Sequence, residues 1–227
     1  MGQTWVDLLF AHWPVPTNAL RPKVPAAVPI DTFGGSAWIG ITPFEVIGAR
    51  PRGLPPLPWL SRFPELNVRT YATVDGRPGI WFLSLDAARR AAVLGARRTY
   101  RLPYHHARMS VSRHDGTVAY RSESESPQRP RAALDATYRP TGPAANPAPG
   151  TLEHFLTERY TLYALDARHR LHSADIHHAP WPLQPAAAEF RENTMTAPYG
   201  LRLPPVRPLL HFAARQDVVV WPLRRLR

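Results

Sequence analysis

Polar side chains of four different kinds alternate along one short stretch of the sequence, ELNVRTYATV. They are spaced by two residues: Glu65, Asn67, Arg69 and Tyr71. Side chains with this spacing lie on one face of a β-strand. A guanidinium and a phenol on that face could donate hydrogen bonds to a carbonyl or carboxylate compound, and the carboxyl could exchange a proton with it. The stretch therefore predicts a strand that presents one side of a binding or catalytic site.

The surroundings of this polar row decide whether it is a site or a solvated surface. If the sheet had one covered face, the row would lie in water, as the polar face of an antiparallel sheet commonly does. The next apolar stretch, GIWFLSL, favours enclosure, because Ile80 and Phe82 point to one face of the strand and Trp81 and Leu83 to the other. We therefore expect the row to line a cavity, with Trp81 among the residues that contact the ligand.

A second group of reactive side chains occurs in the stretch RLPYHHARM, residues 101–109. In a catalytic interpretation, Glu65 acts as a general acid or base and His105 exchanges protons with it. Tyr104 together with Arg69 would donate hydrogen bonds to the oxyanion that develops on a carbonyl substrate. In a non-catalytic interpretation, the same cavity binds or senses an aromatic or anionic metabolite, and side chains such as Arg69 serve only as contacts.

Two pairs of adjacent histidines, His105-His106 and His177-His178, could be taken for metal ligands. In a strand, adjacent side chains point to opposite faces, so at most one histidine of each pair could reach a common site. The sequence has no His-Glu-x-x-His motif, and without cysteine it has no thiolate ligand and no disulfide. We therefore expect neither a metal nor another cofactor, and we assign His178 to ligand binding.

Turn signals and apolar patterns predict the strands around these residues. Two Asp-Gly pairs, at residues 75–76 and 115–116, each separate two alternating stretches, and Asp-Gly supplies the positive backbone angles of a tight hairpin turn. A further strand, covered on both faces, is predicted over residues 36–51. The proline-rich residues 50–64 cannot join a sheet interior and are predicted to form a packed flap.

Two short helices are predicted in the first half of the chain. Apolar residues at helical spacing predict the first over residues 4–12. The second is predicted over about residues 85–98, with Ser84 or Asp86 as its cap.

A third short helix is predicted to begin at Thr151. If it continued, Arg159 would fall in the apolar stripe between Phe155 and Tyr160. Either Arg159 then has a carboxylate partner in a structural ion pair, as buried arginines usually do, or the helix ends early and RYTLYAL forms a strand.

The composition is that of a single globular domain, residues 1–227, with many turns. Twenty-seven prolines and 13 glycines leave little room for long helices, which favours strands. No stretch approaches the roughly 20 apolar residues that span a bilayer. The first residues lack the basic start and cleavage site of a signal peptide, which favours a cytoplasmic location.

The charge is strongly positive but scattered. The formal net charge is +11, with 28 lysine and arginine residues, of which Lys23 is the only lysine. A surface that binds nucleic acid needs clustered cations, so the scattered arginines argue against a nucleic-acid partner, and a basic scaffold is the least favoured function. A small molecule is the expected partner, a membrane is not, and a homo-oligomer is left open.

Several blocks of the sequence together resemble a known bacterial family. They are LLFAHWPV (8–15), LRPKVP (20–25), PRGLPPLP (51–58), ELNVRTY (65–71), GRPGIWFLSLDA (76–87), LPYHHARM (102–109), LEHFLTERYTLY (152–163) and HAPWPLQ (178–184). The family is labelled domain of unknown function 2071 and is related to acetoacetate decarboxylase. The resemblance implies one α+β, mainly β domain: an acetoacetate decarboxylase-like antiparallel β-barrel with a few short helices and a ligand in its lumen.

The resemblance also shows where this chain departs from acetoacetate decarboxylase. Those enzymes carry Pro-Lys-Lys where this chain has Pro103, Tyr104 and His105, and their first lysine forms a Schiff base with the substrate. Lys23 lies in a different segment, so Schiff-base decarboxylation at that place is excluded. Glu65 matches the active-site glutamate of the decarboxylase. If the chain is an enzyme, we expect a cofactor-independent lyase, isomerase or cyclase of keto compounds; the alternative is a non-catalytic binding or sensing protein.

Overall fold

The computed structural model describes residues 1–51, 53, 55–56, 61–125 and 129–226. As the prolines and glycines predict, strands dominate this part of the chain. The strands are β1 Gly2–Val15, β2 Ala37–Arg50, β3 Phe63–Val74, β4 Arg77–Ala87, β5 Tyr104–His114, β6 Thr117–Ser124, β7 Ala133–Pro140, β8 Thr161–Leu165, β9 Leu171–His177, β10 Gln184–Asn193, β11 Leu209–Val220 and β12 Arg224–Arg225. The α-helices are α1 Thr17–Leu20, α2 Arg90–Tyr100 and α3 Leu152–Thr157, with single 3₁₀ turns at Arg21–Lys23 and Ala197–Tyr199.

These strands form one sheet that curls back on itself. Its order is β12-β9-β8-β4-β3-β2-β1-β11-β10-β7-β6-β5, and two additional pairings, β9 with β11 and β4 with β5, join strands that are far apart in this order. The pairings of β4 with β5 and with β8 are parallel, whereas β1, β2 and β3 pair antiparallel with their neighbours. Both faces of β3 are covered, since Leu66 and Val68 on one face and Asn67 and Arg69 on the other are all buried.

Both predicted hairpins are present. One joins β3 to β4 and the other joins β5 to β6. Asp75 and Gly76 have φ angles of 50° and 71°, and Asp115 and Gly116 have 47° and 72°. Positive φ at both central residues is the geometry that a two-residue hairpin turn with Asp-Gly requires.

The predicted first helix over residues 4–12 is wrong, because these residues belong to β1. This strand is hydrogen-bonded to β2 on one side and to β11 on the other, and the residues from Leu8 to Ala11 are all buried. A short apolar stretch that is buried all round fits a central strand as well as a helix, and only its partners distinguish the two. Asp7, with φ at 51°, lies at the irregularity in the pairing of β1 with β2.

The second helix begins later than its caps predict. Ser84 and Asp86 are buried members of β4, and α2 starts after Arg89, whose side chain makes no capping hydrogen bond. Pairing with β3 and β5 keeps this segment extended through Ala87. No helix in the described part of the chain is long and apolar enough to span a membrane.

The third helix begins as predicted and ends early. The Thr151 hydroxyl accepts a hydrogen bond from the backbone N–H of His154 at 3.3 Å, which caps α3. The chain then turns into β8, and Arg159 forms an ion pair with Asp31 at 2.7 Å. Both alternatives for Arg159 are therefore realised together: the helix stops and the guanidinium has a carboxylate partner.

The predicted strand over residues 36–51 is confirmed as β2, whose residues from Ala37 to Val46 are buried apart from Trp38. The predicted packed flap over residues 50–64 includes residues 52, 54 and 57–60, which lie outside the described residues, so the flap stays a prediction.

Candidate functional site

A cavity lies against one face of β3, between this strand and the side chains of its neighbours. It encloses about 50 Å³, which is room for a few water-sized groups. Its polar lining includes Gln3, Thr42, Glu65, Asn67, Arg69, Tyr100, Tyr104, Thr157, Arg159 and His178, and apolar side chains such as Trp5, Phe44, Phe82 and Trp181 form much of the rest of the wall. The cavity therefore combines an apolar wall with a few converging polar groups, as small-molecule sites do.

Three members of the predicted polar row line this cavity. Glu65 and Arg69 are 6% exposed and Asn67 is 5% exposed, so the row is enclosed and does not lie in bulk water. Tyr71, the fourth member, is fully buried but is not part of the cavity wall; its ring lies behind Arg69, 5.8 Å from the guanidinium carbon.

Glu65 is a buried carboxyl group without a cationic partner among the described residues. Burial raises its pKa to about 8, and hydrogen bonds from Tyr104 and Asn67 counteract only part of this effect. The Tyr104 hydroxyl donates to the two carboxyl oxygens at 3.2 and 3.3 Å. The group is therefore mostly protonated at neutral pH, and it can donate or accept a proton close to that pH.

Arg69 is a buried cation that no carboxylate of the described residues neutralises. Its guanidinium forms no ion pair with them, and its hydrogen bond to the carbonyl oxygen of Leu156 is long at 3.4 Å. Its Nε atom is buried and has no hydrogen-bond partner in the described part of the protein. An unpaired buried charge is costly unless a ligand or polar groups compensate it, so Arg69 is the strongest indication of an anion site.

Arg159 lines the same cavity but differs from Arg69. It pairs with Asp31 and donates to the carbonyl oxygen of Phe155 at 2.6 Å, and its guanidinium lies 4.2 Å from the centre of the Phe155 ring. These contacts hold the end of α3 and satisfy the charge. Arg159 therefore has a structural ion pair, whereas the Arg69 guanidinium has none with the described residues.

Several buried polar atoms in the cavity wall have no hydrogen-bond partner in the described part of the protein. Besides Arg69 Nε, they are Trp5 Nε1, Thr42 Oγ1 and Asn67 Oδ1. Thr42 lies directly opposite Asn67 in the pairing of β2 with β3. Because buried polar groups are normally paired, such a concentration of donors and acceptors in one wall is typical of a site for a polar ligand.

His105 does not line the cavity, although Tyr104 does. Adjacent strand residues point to opposite faces, and His105 lies next to Asp86 in the parallel pairing of β4 with β5. Burial lowers its pKa to about 4, and the charges of Arg129 and Arg97 act in the same direction. The structure thus does not bring His105 to Glu65, and the predicted proton exchange between them has no geometric basis.

Of Trp81 and His178, which are both predicted to contact the ligand, only His178 lines the cavity. Trp81 packs against the large core on the other side of β4, whereas its neighbours Ile80 and Phe82 face the cavity. His178 does line the cavity; its ring stacks on Tyr160 with 4.6 Å between ring centres, and burial lowers its pKa. Trp81 therefore lies away from the cavity and His178 lies in its wall; contact of either residue with a ligand stays a prediction.

The histidines do not form a metal centre in the described residues. No group of three or more histidine, cysteine, aspartate or glutamate side chains there is arranged to hold a metal ion. Lys23, the only lysine of the sequence, is exposed and lies outside the cavity wall, so no lysine amine reaches the site.

Sequence reasoning missed two polar residues beside the row. Thr42 carries no motif, and only the register of β2 against β3 places it opposite Asn67. The other is His12, which carries no motif and is fully buried in β1, with its Nε2 atom 2.7 Å from the Tyr71 hydroxyl oxygen. Neither could have been found without the strand order.

Comparison with known proteins agrees with this fold. The chain matches the model of the DUF2071 family, described as an uncharacterized conserved protein, over residues 2–217. It is 47% identical over 225 residues to the uncharacterized protein YqjF of Bacillus subtilis (strain 168). The aligned residues cover 99% of this chain and 92% of YqjF.

Two solved structures are similar in fold. The enduracididine biosynthesis enzyme MppR complexed with pyruvate has a TM-score of 0.69 at 14% identity, covering 100% of this chain and 90% of MppR. A structure of acetoacetate decarboxylase has a TM-score of 0.66 at 11% identity, covering 100% of this chain and 89% of the decarboxylase. At such identities the likeness concerns the fold alone, and it confirms the predicted mainly β, acetoacetate decarboxylase-like fold.

Proposed function

Since this chain belongs to the DUF2071 family, whose fold it shares with acetoacetate decarboxylase, we propose that its cavity binds a small monocarboxylate that carries a carbonyl group. The observation that carries this proposal is Arg69, a buried guanidinium in the cavity wall without a carboxylate partner among the described residues. A bound carboxylate would accept its hydrogen bonds and balance its charge.

The charge of the cavity favours an anion with one negative charge. Glu65 is mostly neutral at pH 7, burial keeps His178 neutral, and Arg159 is balanced by Asp31. Among the side chains of the described cavity wall, one unbalanced positive charge, on Arg69, remains. A second carboxylate on the ligand would find no further unpaired side-chain cation among these residues and would be costly to bury.

The remaining polar groups fit the carbonyl end of such a ligand. Thr42 and Asn67 face each other on adjacent strands next to Arg69, and the protonated Glu65 lies beyond Asn67 in the same row. Hydroxyl, amide and carboxylic acid groups can all donate to a carbonyl oxygen. The volume of about 50 Å³ favours a ligand of few non-hydrogen atoms. The pyruvate complex of MppR, a protein of the same fold, supports this ligand class.

The proposal is tested by titration calorimetry with pyruvate at pH 7 on the wild type and Arg69→Gln. We expect Arg69→Gln to weaken the affinity by roughly 100-fold, because charge-assisted hydrogen bonds contribute about 1.5 to 3 kcal/mol and the ligand charge would be left unpaired. Arg215→Gln removes the same charge from an exposed position and is the control, with wild-type affinity expected. A wild type that binds neither pyruvate nor a related short oxo acid contradicts the proposal.

A second candidate function, catalysis, is favoured by Glu65. A carboxyl group whose pKa is about 8, hydrogen-bonded to Tyr104 in the same cavity, is suited to proton transfer at the carbon next to a carbonyl group. The ionised carboxylate would accept the proton from carbon, and the developing enolate oxygen would be stabilised by hydrogen bonds from the cavity wall. This is the first step that lyases, isomerases and cyclases of keto compounds share.

A further inference from the structure

Behind Arg69, two fully buried side chains are hydrogen-bonded to each other. His12 Nε2 and the Tyr71 hydroxyl oxygen are 2.7 Å apart, and both residues are 0% exposed. Burial, together with the charges of Arg69 and His211, lowers the pKa of His12 well below its ordinary value. The imidazole is therefore neutral, and the pair of His12 and Tyr71 carries no net charge.

Gly40 provides the space in which this pair forms. On the middle strand of β1, β2 and β3, Gly40 lies opposite His12 on one side and opposite Arg69 on the other. A methyl group at Gly40 would lie 3.1 Å from both His12 Nε2 and the Tyr71 hydroxyl oxygen. Any side chain at this position would therefore push against both hydrogen-bonding atoms. Because glycine has no side chain, the two atoms can stay within hydrogen-bonding distance.

The direction of the hydrogen bond follows from the neighbouring guanidinium. The guanidinium carbon of Arg69 lies 5.8 Å from the centre of the Tyr71 ring, and its positive charge counteracts the rise in the pKa of Tyr71 that burial causes. A positive charge beside the phenol favours an arrangement in which the oxygen lone pairs face Arg69, so we assign the phenol proton to the bond with His12 Nε2.

We propose that His12 and Tyr71 are positioning residues for Arg69, which orient its guanidinium toward the cavity with a neutral hydrogen-bonded pair and leave its positive charge available to a carboxylate ligand. An aspartate or glutamate at the same place would hold the guanidinium as well but would neutralise it. Arg159 faces the same Tyr71 ring at 5.3 Å and is neutralised in this way by Asp31. The inference rests on the proposed function, because it concerns anion binding by Arg69.

The first test compares a charged ligand with a neutral one in Tyr71→Phe, which removes only the hydroxyl group. We expect the affinity for pyruvate to fall about tenfold or more, and the affinity for pyruvamide, which has an uncharged amide in place of the carboxylate, to change less than twofold. Tyr163→Phe is the matched control. Tyr163 is buried but is not part of the cavity wall, and its hydroxyl donates to the carbonyl oxygen of Arg77 at 2.5 Å. Both affinities should therefore stay at the wild-type value. An equal loss for both ligands in Tyr71→Phe would overturn the inference, because a general structural defect acts on both.

The second test needs no ligand. In ¹⁵N–¹H NMR spectra, the Nε–H signal of Arg69, identified by its loss in Arg69→Lys, should exchange slowly with solvent in the wild type and in Tyr163→Phe. In Tyr71→Phe it should broaden or disappear, since the guanidinium loses the polar group that orients it in the buried wall. A signal that stays equally protected in Tyr71→Phe refutes the positioning role even if pyruvate binds. A wild type that does not bind pyruvate, with the expected NMR result, refutes only the proposed ligand.

Discussion

Glu65→Gln is expected to raise the free energy of unfolding above pH 8 by on the order of 3 to 5 kcal/mol. The pKa of Glu65 is about 8 in the folded protein, because burial disfavours the carboxylate, and its ordinary value is 4.5. The folded state therefore holds this proton more tightly than the unfolded chain does. The contribution of Glu65 to the stability of the wild type is complete below about pH 4.5 and is lost as the pH rises through 8.

Glutamine has the shape of the protonated carboxyl group and stays neutral at every pH. The difference in unfolding free energy between Glu65→Gln and the wild type should therefore be smallest below pH 4.5 and largest above pH 8. Urea unfolding at a series of pH values measures it directly. Glu189→Gln, at an exposed position of β10, is the control and should show no comparable trend. A difference that does not grow with pH would mean that Glu65 is ionised in the folded protein at neutral pH.

The same substitution should nearly abolish any proton transfer that the cavity catalyses. If the second candidate function holds, the wild type exchanges the methyl hydrogens of pyruvate for deuterium in D₂O, with a rate that rises with pH up to about pH 8 as Glu65 ionises. Glu65→Gln should lower this rate at least 100-fold, since a positioned general base contributes about 10²- to 10⁴-fold. The affinity for pyruvate at pH 7 should change little, because glutamine replaces a carboxyl group that is mostly protonated there.

Proton NMR of pyruvate incubated with each variant follows this exchange, with Glu189→Gln again as the control. If Glu65→Gln exchanged the methyl hydrogens of pyruvate at the same rate as the wild type, Glu65 would be excluded as the base. A wild type that binds pyruvate without accelerating exchange would favour the non-catalytic binding protein over the enzyme for this ligand.

The polar row could be predicted from the sequence because it depends on local information. A period of two places Glu65, Asn67 and Arg69 on one face of a strand, and the apolar neighbouring strand indicates that this face is covered. The same local reasoning predicted the hairpin turns and the start of α3. Its success ends where a side chain's environment depends on which strands pair.

The differences between the sequence predictions and the structure have that common cause. Residues 4–12 have helical spacing, but pairing with β2 and β11 makes them a central strand. His105 directly follows Tyr104 in β5, and because adjacent strand residues point to opposite faces, its side chain points away from the cavity. Trp81 lies on the core side of β4. Thr42 could not be identified, since the register of β2 against β3 is not encoded in any local pattern.

A crystal structure of the protein with pyruvate would show whether Arg69 holds the carboxylate of a small ligand inside the cavity. We predict density for pyruvate in the cavity, with its carboxylate within hydrogen-bonding distance of the Arg69 guanidinium and its carbonyl oxygen toward Thr42, Asn67 or Glu65. Pyruvate bound elsewhere, or Arg69 paired with a carboxylate of the protein itself, would show that Arg69 is not the anion site.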